Sequence, residues 1–194
     1  GVEAYAKPCD VSSPESLKAF VEYALTIAPI GNVINAAGVD YADMPKEPII
    51  KINMLGTHYV LEAFLPHLDD STVLNFSSIT GNFYPGPSAE EKELWDSTQT
   101  VSEDEFVARQ LKLTAQPQDP RMVALGDSYM TYAMSKRYVQ YYTQANAMRV
   151  AMKNNSRIIS IAPGSFYTPM LAGGNDEAMQ ASIKRGTVYQ RFGT

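Results

Sequence analysis

The feature that most constrains this chain is alternation: short apolar, β-branched runs separated by stretches with helical spacing. Runs at 2–9, 33–34, 73–76 and 157–161 are too short for buried helices and read as strands. Between the first two, Ser12-Ser13-Pro14-Glu15 has the chemistry of a helix start, with a capping hydroxyl, a proline at the first helical position and an acid in the first turn. Leu17, Phe20, Val21, Ala24 and Leu25 follow at helical spacing until Pro29 and Gly31 close that helix. The spacing predicts further helices over 50–65, ended by Pro66, and over 129–152. Parallel strands need helical crossovers and are buried on both faces, so this order predicts an α/β, doubly wound parallel sheet.

The pattern changes between Gly81 and Asp127. Pro85, Pro87, Pro117 and Pro120 fall here, with the acid-rich Glu90-Glu91-Lys92-Glu93. Ser102-Glu103-Asp104-Glu105 has capping-box spacing and opens an amphipathic helix carrying Phe106, Val107 and Leu111. So long a segment is too large for an ordinary strand-to-helix loop. Residues 82–127 are therefore expected to be a helical insertion within a single domain over 1–194. It sits on the sheet's carboxyl edge, where a lid, an association surface or a plain surface embellishment are all open readings.

Sixteen basic against 21 acidic side chains leave a net charge of −5, the wrong balance for gripping nucleic acid phosphates. A lone cysteine, Cys9, rules out a disulfide framework and fits a reducing compartment; it reads as a small core residue. No apolar run reaches the roughly 18 to 20 residues of a membrane-spanning helix. A soluble, cytoplasmic protein with no membrane partner is the expectation. No metal site is expected, since His58 and His67 lack a third ligand at metal spacing and read as structural or exposed. Tyr138, Tyr141 and Tyr142 read as packing residues.

Four polar signals sit where strands end or helices run. Tyr132-Ala133-Met134-Ser135-Lys136 places a phenol and an ammonium four apart on one helix face. A nearby positive charge favours phenolate, which would bring a tyrosine toward use as a general acid. Ser77-Ser78-Ile79-Thr80-Gly81 follows the third strand, where a serine either meets a substrate oxygen or caps the next element. Asn53-Met54-Leu55-Gly56 puts an asparagine mid-helix, a poor place for it unless its side chain has a specific partner. Asn35-Ala36-Ala37-Gly38 follows the second strand, with small residues that let a planar ligand approach backbone.

Their order resembles the short-chain dehydrogenase/reductase family. Asp10-Val11 comes first, then N-A-A-G, N-x-x-G, S-S-I-T-G, Y-x-x-x-K, P-G-x-x-x-T at 163–168, and a closing Arg191-Phe192-Gly193-Thr194. The resemblance covers nearly the whole chain. It implies a Rossmann-like fold and an NAD- or NADP-dependent oxidoreductase that interconverts a small-molecule alcohol and ketone. It implies Tyr132 as general acid/base and Lys136 as the group that binds the nicotinamide ribose and lowers the tyrosine's pKa. Ser78 would position the substrate oxygen, and Asn53 would hold a helix kink and a water for proton relay. Asp10 would contact adenine, with Val11 behind the ring; Asn35, Ala36 and Gly38 would line the adenine ribose; Pro163, Gly164 and Thr168 would flank the nicotinamide. A homodimer or homotetramer is also implied.

Two departures from the family pattern matter. Its glycine-rich phosphate turn is absent, and with it the first two strands and the last, so the chain reads as an internal portion of a longer protein. The insertion before Tyr132 is similar to a bacterial subgroup containing 3α-hydroxysteroid dehydrogenase/carbonyl reductase, where extra helices take part in association; this suggests a steroid-like substrate. A catalytically silent nucleotide-binding or regulatory protein on the same fold is the alternative. A sugar-nucleotide epimerase or dehydratase shares Y-x-x-x-K but fits N-A-A-G and P-G-x-x-x-T less well.

Overall fold

The structure, a computed structural model, describes residues 2–42, 44–115, 126, 128–166 and 177. Within them three strands form one parallel sheet in the order β1 (Asn32–Asn35), β2 (Thr72–Phe76), β3 (Arg157–Ile161). Asn35 pairs with Asn75, and Phe76 with Ile161, so the three strands end together at one carboxyl edge. Helix α1 (Pro14–Ile27) precedes β1, capped by the Ser13 side chain on the Ser16 amide as its sequence predicts.

Between β1 and β2 runs one continuous helical stretch of changing pitch. It comprises α2 (Lys46–Ile49), a π-helical turn (Ile50–Leu55), α3 (Gly56–Phe64) and a 3₁₀ turn (Leu65–His67). The helix begins earlier than the expected residue 50. Pro48 lies in its first turn, where a missing amide hydrogen costs nothing because those donors have no intrahelical partner. The helix expected over 129–152 also divides, into α6 (Tyr129–Ala145) and α7 (Ala147–Ala151), at Asn146 with φ −96° and ψ 1°.

One sheet face carries the core. Val33, Val73 and Ile158 point into a cluster with Leu17 and Val21 of α1, Met54 and Leu61 of the π turn and α3, and Met134 and Tyr138 of α6. Among the described residues the opposite face is uncovered: Ile34 is 66% exposed, Ile159 46% and Ile161 40%. The burial on both faces that the apolar runs suggested is therefore met on one face only. Residues 2–9, expected as a strand, form no ladder; a strand exists only through a neighbour's hydrogen bonds, and no described segment lies alongside to supply them. Cys9 is half-buried against the core.

The segment after β2 is helical, as expected, with α4 (Ala89–Asp96) and α5 (Glu103–Thr114). The reciprocal capping box forms at Ser88 and Glu91, whereas Ser102 caps Glu105 in one direction and Glu105 turns to Arg109 at 3.7 Å. These helices pack inward onto α6. Trp95 meets Tyr138 edge-on, its indole donates to Gln110 at 2.8 Å, and Phe106 lies against Tyr138. Glu103 ties α5 to the π turn and α3 through Lys51 and the Tyr59 hydroxyl. Tyr138, Tyr141 and Tyr142 are thus packing residues. His58 is buried and structural: its Nδ1 is 2.9 Å from the Tyr142 hydroxyl, and burial pushes its pKa down.

Candidate active site

The carboxyl edge gathers the polar motifs because each follows a parallel strand. At the end of β2, Ser77 faces inward: its amide donates to Ile161 O at 2.9 Å and its hydroxyl to Lys136 O at 2.6 Å. This staples the strand end to α6 beside the lysine. Ser78 turns the other way, half-buried, and its oxygen accepts from the Thr80 amide to cap a 3₁₀ turn, Ile79–Phe83. That turn lies against α6 so closely that only glycine fits at position 81. A Cβ there would sit 2.8 Å from Lys136 C and 2.9 Å from Arg137 N. The Ile79 amide donates to Pro163 O at 2.9 Å, which brings the end of β3 to the same place.

The misplaced mid-helix asparagine finds its partners at the π turn. Asn53 is 2% exposed. Its Oδ1 accepts from the Val39 amide at 2.9 Å, and its Nδ2 donates to Val39 O at 3.0 Å and to Ser135 Oγ at 3.1 Å. Its own carbonyl, displaced from the α-helical ladder, accepts from the Thr57 hydroxyl at 2.8 Å. Asn53 thereby fixes the loop after β1 and the first turns of α6 relative to each other.

Tyr132 and Lys136 project from α6 into this edge. The Lys136 ammonium lies 5.6 Å from the Tyr132 ring centroid and donates to Phe76 O at 3.2 Å. Ser78 lies beside the Tyr132 phenol and acts on it as a polar neighbour that favours its ionised form. Burial pushes the Tyr132 phenol above its ordinary pKa of 10.0; Ser78 opposes that rise, while Asp40, Tyr41 and Tyr129 add to it. Burial also drives the Lys136 amine down to about 8. In this ligand-free arrangement the expected lowering of the tyrosine by the lysine is not found. Desolvation leads the shift of both groups, since burial disfavours phenolate and ammonium alike.

The remaining candidates divide. Gly38 touches the centre: a Cβ there would be 3.2 Å from Asn53 Oδ1 and 3.3 Å from Lys136 Nζ. Ala36 and Gly164 lie exposed at the strand ends, and Pro163 is half-buried. Asn35 turns its side chain inward, where Nδ2 donates to Asn75 Oδ1 at 3.3 Å, so its amide is engaged within the sheet. Asp10 is exposed and accepts from the Ser12 amide and hydroxyl, which hold its carboxyl below the usual carboxylate range. Val11 packs toward Gly56, whose absent Cβ would stand 3.0 Å from Val11 Cγ2, so the glycine of N-x-x-G makes room for the Asp10-Val11 turn. Thr168, expected beside the nicotinamide, lies outside the described residues.

The residues present fit a nicotinamide cofactor. A lysine ammonium has three donors. Among the described residues the acceptor given to Lys136 is Phe76 O, and the bare Cα of Gly38 leaves the ammonium uncovered on that side. Two donors thus remain for the hydroxyls of a sugar diol.

No family model matches the chain. It is 24% identical over 173 residues to the short-chain dehydrogenase/reductase bsc3 of Alternaria brassicicola, covering 89% of this chain and 59% of that protein. Among solved structures, the 3-alpha-hydroxysteroid dehydrogenase of Pseudomonas sp. B-0831 complexed with NADH superposes with a TM-score of 0.66 at 18% identity, over 90% of this chain and 65% of that one. ElxO with NADP bound gives 0.65 at 19% identity, over 97% and 64%. The chain carries the short-chain dehydrogenase/reductase fold. It spans less than two thirds of the length of these relatives.

On that fold, sequence reasoning missed three supporting residues. Ser77 was read only as Ser78's neighbour, yet it is the buried one. Ser135, inside Y-x-x-x-K, donates to Tyr132 O at 2.8 Å while accepting from Asn53. Tyr41 lies 5.5 Å from Tyr132, ring to ring. The serines carry a weak signal, being small hydroxyls within motifs; Tyr41 carries none, since it lies in a loop.

Proposed function

We propose that the protein is an NAD- or NADP-dependent oxidoreductase that interconverts a secondary alcohol and a ketone, with Tyr132 as general acid/base. The observation that carries this reading is the Lys136 ammonium 5.6 Å from the Tyr132 ring, with Ser78 beside the phenol, at the carboxyl edge of a parallel sheet. When bound, the nicotinamide supplies the hydride chemistry. Lys136 holds ribose hydroxyls with its free donors. Ser78 orients the substrate oxygen against the Tyr132 hydroxyl. In reduction Tyr132 gives its proton to the oxygen as it becomes an alkoxide; in oxidation it takes the proton back. Asn53 keeps Val39, Ser135 and hence Tyr132 in register.

The NADH- and NADP-bound structural neighbours support the cofactor reading, and the hydroxysteroid dehydrogenase among them supports a steroid-like substrate. Asp10 and Val11 are read as the adenine side, Asn35, Ala36 and Gly38 as the adenine ribose side, and Pro163, Gly164 and Thr168 as the nicotinamide side. The protein is read as cytoplasmic and as a homodimer or homotetramer, with 82–127 an insertion in a single domain. Among the described residues no helix is long and apolar enough to cross a membrane.

The test is Tyr132→Phe in the full-length protein, assayed with NADH, NADPH and a ketone panel alongside cofactor titration. The expected result is loss of turnover with cofactor affinity retained. Undiminished turnover refutes the assignment, and cofactor binding by a wild-type protein that turns over no ketone favours the silent nucleotide-binding alternative.

A further inference from the structure

The loop after β1 brings Tyr41 back over the carboxyl edge, and α6 opens with Tyr129 one turn before Tyr132. The three rings meet: Tyr41 stands edge-on to Tyr129 with centroids 5.0 Å apart and planes at 89°, and tilted to Tyr132 at 5.5 Å and 52°. All three are half-buried. Ser78 lies beside the Tyr132 phenol, whereas among the described residues the Tyr41 and Tyr129 hydroxyls have no hydrogen-bond partner. Ile79, next to Ser78, adds an exposed apolar side chain at 41% exposure.

Two polar-tipped rings thus touch the proton donor, stay partly open and spend no hydroxyl on the protein. The edge-to-face pattern of the pair is one that a further flat ring extends, because ring edges are electropositive and faces electronegative. Whatever is bonded to a carbon whose oxygen sits on Tyr132 and Ser78 must lie within a few ångströms of these rings.

We propose that Tyr41 and Tyr129 form an aromatic wall that selects substrates carrying a flat ring on the carbon bearing the reacting oxygen, over open-chain alcohols and ketones. The proposal rests on the dehydrogenase reading and deepens it. Tyr41 is a specificity residue, in contact with substrate.

The experiment compares acetophenone with 2-octanone, two methyl ketones of equal carbon number, in the full-length protein with cofactor. Wild type, Tyr41→Leu and Tyr41→Phe are assayed. A lost ring contact of this kind corresponds to about tenfold in affinity. Tyr41→Leu is expected to lower the acetophenone-to-octanone ratio of kcat/KM about tenfold, mainly through KM, and Tyr41→Phe to restore most of it. An unchanged ratio, or a wild type that prefers 2-octanone, overturns the proposal. Saturation-transfer NMR of acetophenone on wild type and Tyr41→Leu reads the same contact without turnover. A protein that binds acetophenone through Tyr41 but reduces nothing has failed as a dehydrogenase and kept its wall; one that reduces both ketones alike has done the reverse.

Discussion

Burying the Lys136 amine is costly, and replacing the lysine by methionine, of similar length and no charge, should stabilise the protein. Desolvation brings its amine from 10.5 to about 8. A difference of about 2.5 units is a penalty of about 3 kcal/mol on the folded state wherever the unfolded chain carries the proton. Methionine removes that penalty but leaves the Phe76 carbonyl without its donor, which returns about 1 kcal/mol. The net gain is about 2 kcal/mol, or roughly 4–8 °C in Tm for a domain of this size. The sign has a pH signature. Between pH 8 and 10.5 the unfolded amine still holds a proton that the folded one has released, so wild-type stability climbs with pH relative to the variant; below pH 8 the full penalty stands. Urea unfolding of both proteins at pH 7 and pH 10 measures it, and the difference between them cancels the tyrosines remote from Lys136; making both proteins in the Tyr132→Phe background removes the one beside it. The gap should fall from about 2 kcal/mol to well under half of that. A variant less stable than wild type at pH 7, or a gap that does not change with pH, refutes the reasoning.

Gly81→Ala should cost about 2 kcal/mol, because the added Cβ falls more than half an ångström inside ordinary contact with backbone atoms that have nowhere to go. Gly31→Ala, where a Cβ meets nothing within 4 Å, is the control, and equal thermal shifts for the two would remove the close-approach argument. Asn53→Ala strands the Val39 amide and carbonyl and should destabilise by about 3 kcal/mol in urea melts, a loss that a surface asparagine would not produce. Phenolate absorbance, taken as wild type minus Tyr132→Phe, should titrate with a midpoint above the ordinary tyrosine value of 10.0; a phenolate appearing near neutrality would mean that Lys136 outweighs burial after all.

The sequence made some of this legible and hid the rest for physical reasons. Strands 33–34, 73–76 and 157–161 were readable because short apolar runs between helical spacings have few other fates, and each is found within a residue or two of its expected ends. The candidate residues were readable because a phenol, an ammonium and a serine at motif spacing are local patterns. What was not readable is pairing across distance. Residues 2–9 have strand chemistry but no described neighbour, and no local pattern says whether a ladder partner is at hand. The resemblance gives Asn35 a place beside the adenine ribose, but which way its side chain points is set by the register against Asn75, which no local pattern encodes. The capping box formed at Ser88 and Glu91 rather than at Ser102 because Glu105 found Arg109 and Glu103 found Lys51 and Tyr59, competitors that the spacing does not encode.

The glycines show how motif and geometry are one thing. Gly38, Gly56 and Gly81 each close a motif, and each is pressed against a residue of another: Gly38 on the Asn53 and Lys136 side chains, Gly56 on Val11, Gly81 on the Lys136 backbone. With Ser77 holding the Lys136 carbonyl and Asn53 holding Ser135, four separate elements converge on one turn of α6. That convergence is what keeps a poorly solvated ammonium in place. A lysine free to move would swing toward water and recover its hydration; here the backbone on which it stands is fixed from several sides, and its Nζ reaches the Phe76 carbonyl. The rigidity of the motifs and the strain of the lysine are therefore not independent features. The first is the condition for the second, and a strained, partly unsatisfied cation at the edge of a parallel sheet is what a ligand with adjacent hydroxyls relieves.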